Sequence, residues 1–343
     1  MMSSARFNPA LLACPSCRSA LTTSPTGVQC GACGLAFGVT QGFINLVLDS
    51  SNDTQLQEAA YDEEHGINQQ RRESNWLSWQ GLLEKYGAHH GRVLEIGAGS
   101  GHLTWGLLHK SRFDELHISD ISADFLQGIF TQHDPGNRDT CYYLCDANHL
   151  PFADNTMDCI IGNSVLHHFI DYEQTLRSAL ATLKPGGKAF FFEPVQSGKA
   201  FISLLARLLW KVDSHSPAPL FTDEQHRRLR HITVRMVNQA GERNAQSDLT
   251  ALGKLEDKYI FNLAALEGLC RQIGYSGFVA ENQLPFDYSY WLQLANQLEL
   301  GPVPFDRKAL KHYEYLFNTV RDTLGVMIRD SMTSPMVYLV FTK

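Results

Sequence analysis

No apolar run in this sequence approaches the roughly 20 residues that a membrane-spanning helix needs, so a chain threaded through a bilayer is not expected. Charge is sparse, at 19% of residues, and its balance is acidic, with a formal net charge of −7. That balance gives no global pull towards nucleic acid or an anionic membrane. The first 48 residues hold no lysine, and their only cations are Arg6 and Arg18. They therefore lack the clustered cations of a phosphate-gripping surface. The opening "MMSSARFNPALLACPSC" has neither the charged start nor the long apolar middle of a secretory signal. A cytoplasmic protein is the expectation. There is also no internal repeat and no low-complexity tract.

What is present is enough apolar material for a sizeable core: 343 residues, 44% of them hydrophobic. That size suits one large domain with additions, or two domains. Eight cysteines are more than packing needs. Cys141, Cys145, Cys159 and Cys270 are scattered through core-like segments and read as small buried hydrophobes. The other four form "CPSC" (Cys14, Cys17) and "CGAC" (Cys30, Cys33), with twelve residues between the pairs. Two CxxC pairs joined by a short loop can aim four thiolates at one tetrahedral zinc. No water position is left in such a set, so the ion is structural. A redox CxxC is the rival reading, but no βαβ pattern surrounds these pairs. Residues 1–48 are expected to form a small zinc ribbon ending in the strand candidate "GFINLVL". The polar, acidic stretch 49–70 reads as a linker leading to a helix at about 74–86.

From Arg92 onwards strand and helix alternate. Strands are expected at 92–96, 115–120, 141–146, 158–164 and 188–194, with helices at 101–110, 122–132 and 171–183 between them. Strands apolar throughout and separated by helices imply a parallel sheet covered on both faces. After Pro194 come a strongly apolar helix, "GKAFISLLARLLWKV", and the basic stretch "HRRLRHITVR". Alternation resumes at 262–275 and 276–284, and the last strand is "PMVYLVFTK". The excursions, about 195–260 and 286–332, read as helical insertions on one sheet spanning 49–343.

The turn after the first strand, "LEIGAGSGH", has glycine at 97, 99 and 101. A dinucleotide fingerprint needs glycine at its sixth position, where this chain has His102. The acid in front of the turn, Glu95, would repel a pyrophosphate and attract an ammonium and a sulfonium. S-adenosylmethionine carries both cations, and its carboxylate can face the following helix N-terminus. Asp120, ending the second strand, can accept ribose hydroxyl protons, or cap the helix at Ser122. Asp146, ending the third, can bond the adenine amino group beside the Ala147 amide, or make a plain turn. Asn163 and Ser164 end the fourth strand, where the reactive methyl would lie.

"LEIGAGSG", "ISD", "CDANHLPFADNTMDCIIGNSVLHHF" and "LKPGGKAFFFEP" together resemble the ordered motifs of class I S-adenosylmethionine-dependent methyltransferases. The resemblance implies a Rossmann-like α/β fold with a seven-stranded sheet, its last strand antiparallel, flanked by helices. By motif position it implies that Glu95, Gly97, Ala98, Gly99 and Gly101 hold the methionine part. It likewise implies that Asp120 and Ile121 hold the ribose and Asp146 with Ala147 the adenine, with Asn163 nearby. "CPSC…CGACGLAFGVTQGFINLV" is similar to the zinc ribbon leading some bacterial methyltransferases, certain ribosomal RNA guanine methyltransferases among them. The fourth strand, however, lacks the polar–Pro–Pro–aromatic motif typical of enzymes methylating exocyclic base nitrogens. "NSVLHHF" is closer to small-molecule methyltransferases of quinone and secondary-metabolite biosynthesis. The expectation is a methyltransferase for a small metabolite, with nucleic acid disfavoured.

The catalytic base is left open. His167 and His168 either include it or pack on the sheet and cap the next helix. A metal shared by them and His215 is disfavoured, because adjacent side chains diverge. The apolar helix after Pro194 is either a lid over the acceptor or core. Arg227, Arg228, Arg230 and Arg235 either bind an anionic substrate group or form a solvated face. Tyr288, Tyr290 and Trp291 either wall the pocket or join the core.

Overall fold

The computed structural model describes residues 6–48, 69–134, 136, 139–235, 248–253, 255, 257–282, 294, 295, 298, 308–328 and 335–343. Tyr288, Tyr290, Trp291 and the linker expected over 49–70 lie outside these residues, except that Gln69 and Gln70 open a helix. Five short strands come first: β1 (Leu21–Ser24), β2 (Gly27–Cys30), β3 (Ala36–Phe37), β4 (Val39–Thr40) and β5 (Phe43–Asn45). Helix α1 (Gln69–Lys85) leads to β6 (Arg92–Ile96), α2 (Thr104–Lys110), β7 (Glu115–Asp120), α3 (Ala123–His133), β8 (Thr140–Leu144), β9 (Met157–Asn163), α4 (Tyr172–Thr182) and β10 (Leu183–Pro194). Then follow α5 (Gln196–Ser214), α6 (Asp223–Arg235), α7 (Leu249–Gly253), α8 (Leu263–Ile273), β11 (Gly277–Asn282), α9 (Lys308–His312), α10 (Glu314–Ile328) and β12 (Met336–Thr342).

The main sheet has the order β11-β12-β10-β9-β6-β7-β8-β5-β4. Strands β10, β9, β6, β7, β8 and β5 run parallel to one another, and β4 is antiparallel to β5. β12 is antiparallel to both β10 and β11. Strands β6 to β12 are the seven expected from the sequence. β5 pairs with β8 through Ile44 opposite Tyr143, and β4 pairs with β5, so the main sheet reaches nine strands. A separate three-stranded sheet, β1 to β3, carries the second cysteine pair's first residue.

The sheet is apolar on both faces because helices cover both. Trp76, Trp79 and Leu83 of α1, Leu107 of α2 and Leu126 of α3 pack on one side with Val93 and Ile118. Leu176 and Ala179 of α4, with Leu266 and Cys270 of α8, pack on the other with Leu94 and Ile160. Helix starts follow their caps. Ser122, Asp171 and Asn262 each accept a backbone N–H at the first turn, at 3.2, 3.1 and 3.1 Å. Gly274, at φ 111°, ends α8 in the left-handed region.

The two excursions meet in one place. Phe201, Leu205 and Leu209 of α5 and Leu229 of α6 form a third core with Leu310, Tyr313 and Phe317 from the second excursion. The apolar helix is therefore core. Arg227 and Arg228 pair with Glu224 one turn away, and Arg230 lies over the Trp210 ring, as on a solvated helix face. Among the described residues, no helix is long and apolar enough to cross a membrane.

Candidate functional site

The carboxyl ends of β6, β7, β8 and β9 open on one cavity of about 290 Å³. Open α/β sheets bind ligands at this edge. The wall includes Glu95, Gly97, Ala98, Gly99, Asp120, Ile121, Asp146, Ala147 and Asn163, nine of the ten residues singled out from the sequence. Gly101 is not in the wall. A Cβ there would stand 3.0 Å from Ile129 Cγ1, so its role is to let α2 begin against α3. Gly97 sits at φ 63°, and a Cβ on it would fall 2.2 Å from Val165 Cγ2. Only glycine fits there.

Three acids ring the cavity, each fixed differently. Glu95 is 2% exposed, and its Oε2 accepts from the Thr104 hydroxyl at 2.7 Å. Burial raises its pKa to about 8, which leaves a proton that an incoming cation can displace. Asp120 accepts from Ser122 N and Gly99 N, both at 2.8 Å, and so ties the glycine turn to the start of α3. It steadies the cap residue Ser122 and lines the cavity at once. Asp146 accepts from Asn148 N at 2.9 Å and caps a single 3-10 turn over Ala147–His149. Asn163 is oriented by Trp79 of α1, whose indole N–H donates to its Oδ1 at 3.0 Å.

The far wall is a strained loop. Ser164 has φ 55° and donates its N–H to Phe192 O. The next three backbone N–H groups, from Val165, Leu166 and His167, all donate to the fully buried Glu193 at the end of β10. His167 Nδ1 also meets Glu193 Oε2 at 2.6 Å, while its Nε2 lies 3.3 Å from Asp257 Oδ1. Burial opposes a charged imidazole here, but Glu193 and Asp257 outweigh it and raise the pKa to about 9. His167 is therefore an imidazolium at neutral pH. His168 takes the place on the cavity wall, beside Phe169, Ile170 and Lys258. The two rings do not diverge: they overlap at 4.1 Å, with His167, His168 and Asp257 grouped together and His215 not among them. Trp79, Glu193, Asp257 and Lys258 escaped sequence reading because nothing local links them to the loop they hold.

The four cysteines converge. Cys14 Sγ is 3.6 Å from Cys33 Sγ and Cys17 Sγ is 3.5 Å from Cys30 Sγ, all within 4.8 Å of one another. A tetrahedral zinc with Zn–S of about 2.3 Å sets sulfurs about 3.8 Å apart, so the set fits that ion. The two knuckles are built alike. Arg18 N donates to Cys14 O and Gly34 N to Cys30 O, and both donors are left-handed, at φ 65° and 78°. Arg6 pairs with Asp134 and Arg18 with Asp154, so both cations of the first 48 residues are engaged within the chain.

Residues 94–191 match the family model described as "Methyltransferase domain". With the strand order and the antiparallel β12 already in hand, that match decides the fold. The chain carries a class I S-adenosylmethionine-dependent methyltransferase fold. It is similar to the malonyl-[acyl-carrier protein] O-methyltransferase of Halorhodospira halophila, at 31% identity over 109 residues, 32% of this chain and 37% of that protein. It is also similar to the ubiquinone/menaquinone biosynthesis C-methyltransferase UbiE of Cellvibrio japonicus, at 32% identity over 117 residues, 32% of this chain and 46% of that protein. The chain thus spans less than half the length of these curated relatives. Among solved structures, phosphoethanolamine N-methyltransferase 2 of Haemonchus contortus is 16% identical, with a TM-score of 0.45 over 85% of this chain and 57% of that one.

Proposed function

We propose that this chain transfers a methyl group from S-adenosylmethionine to a small metabolite of a biosynthetic pathway, in the cytoplasm. The observation that carries this reading is the alignment of Glu95, Asp120 and Asp146 at the ends of three adjacent strands around one cavity with a glycine-walled entrance. Three carboxylates suit a ligand bearing an ammonium, a sulfonium and a hydroxylated sugar, and they repel a pyrophosphate. Glu95 would meet the methionine ammonium, with the Gly97–Gly99 backbone close by; Asp120 with Ile121 would hold the ribose and Asp146 with Ala147 the adenine. When bound, the cofactor supplies an electrophilic methyl. The chain's own work is then alignment and removal of a proton from the acceptor. A protonated His167 cannot accept that proton, which leaves His168 as the imidazole facing the acceptor space. His167, clamped by Glu193 and Asp257, sets the position of that loop.

The acceptor's class is supported by what surrounds it. Phe169 and Ile170 make that end apolar, and both cations of the cysteine module are already paired, which removes the charge a nucleic-acid substrate would need. The similarity to a ubiquinone/menaquinone biosynthesis C-methyltransferase supports the same reading. The test is calorimetry with S-adenosylhomocysteine and with NADH, followed by transfer of labelled methyl to fractionated small metabolites and to RNA. The reading requires binding of the first nucleoside alone and label in a small metabolite. Tight NADH binding, or label in RNA, overturns it.

A further inference from the structure

The cysteine module grips the stretch of chain that forms the adenine side of the cavity. Asp146, Ala147 and Asn148 line the cavity, and Leu150 to Asp154 follow at once. Five hydrogen bonds join the module to those five residues. Ala13 N donates to Pro151 O at 3.0 Å, and Leu11 O accepts from Ala153 N at 2.8 Å. Arg18 makes the other three, donating to Leu150 O at 2.8 Å, Phe152 O at 2.8 Å and Asp154 Oδ1 at 2.6 Å. Leu150 N is taken by Ser178 of α4, and Leu150 and Phe152 are fully buried. The stretch after Asp146 is therefore fixed from both sides, one of them foreign to the methyltransferase sheet.

Arg18 reaches this position because of its backbone. At φ 65° a non-glycine residue is disfavoured. The matching place in the second knuckle is taken by Gly34, which faces no docking partner within 4 Å of a Cβ. The first knuckle thus keeps a strained arginine where glycine would serve the turn, and that arginine's guanidinium spans three acceptors on the adenine loop. We propose that Arg18 is a positioning residue for cofactor binding, and that the metal-loaded cysteine module acts as a clamp that holds the Asp146–Asp154 stretch in its binding shape. Loss of the metal by chelation then loosens the cofactor site. This rests on the cofactor reading given above.

The test uses the full chain and three forms of it: Arg18→Gly, Arg18→Lys and the chelator-treated parent. Arg18→Gly relaxes the turn and removes only the docking group, so one metal per chain is still expected. Its affinity for S-adenosylhomocysteine is expected to fall about tenfold, in the ordinary range of coupling between sites. Arg18→Lys, with one donor head for three acceptors, falls between the parent and the glycine variant. Metal removal weakens binding at least as much as Arg18→Gly. Hydrogen exchange of the 146–154 peptide, which needs no cofactor, speeds up in both while β9 and β10 keep parent rates. Parent-like affinity and exchange in Arg18→Gly or in the metal-free chain overturn the clamp. Failure of the parent itself to bind the nucleoside sinks the cofactor assignment instead, and the exchange result still judges the clamp.

Discussion

Glu95 lies too deep to be ionised without a partner. Its folded pKa of about 8 exceeds the ordinary 4.5, so the folded chain holds a proton that the unfolded chain releases. The stability this brings is complete below about pH 4.5, falls as pH rises and is exhausted above about 8. Glu95→Gln is expected to flatten that slope, which urea unfolding at pH 5, 6.5 and 8 will measure. A bound ammonium reverses the preference, so S-adenosylhomocysteine binding near pH 7 should expel a proton. Calorimetry in two buffers of different ionisation enthalpy will detect it, and Glu95→Gln should abolish it. For Gly97→Ala the expected loss is about 1–3 kcal/mol of stability, since a 2.2 Å contact and a left-handed backbone are both violated. These acids and glycines could be read from the sequence because the strand-end turn needs them locally. Glu193 could not: its meaning comes from a loop 26 to 28 residues earlier in the chain.

Among the elements, the loop between β9 and α4 is the one most dependent on distant help. Glu193→Ala leaves three backbone N–H groups and an imidazolium without their acceptor. The expected cost is about 3–5 kcal/mol, measurable as a drop in the urea midpoint. His167 has a folded pKa of about 9 against an ordinary 6.5. Its contribution is complete below about pH 6.5 and is lost as pH climbs through about 9, so His167→Gln should remove the alkaline part of the stability profile and leave the Glu95 part. His168→Gln should instead spare stability and lower turnover, read as a fall in kcat with cofactor affinity unchanged. Strands β6 to β10 were visible in the sequence because their central residues are mostly apolar and buried on both faces, with helical stretches between them. The first turn of α1 was not, since its residues, Gln69 to Arg72, are all polar and give no apolar stripe to follow. Strand β5 was legible as a strand, but its pairing with β8 could not be, because an apolar triplet does not name its neighbour.

At the scale of the whole molecule, charge decides what the protein can approach. With a formal charge of −7 and both cations of its cysteine module engaged in ion pairs, the chain should show no salt-dependent retention of RNA at about 0.15 M salt. Filter binding across a salt series checks this. The helical excursions carry a different lesson. Asp213 of α5 accepts from the backbones of Leu220 and Phe221, from His226 of α6 and from the Tyr313 hydroxyl, which is 100 residues away in the chain. Any attempt to graft this helical cap onto another sheet, or to replace it with a cousin's, must therefore carry both stretches together. Moving one alone would strand a dehydrated carboxylate with half its donors missing.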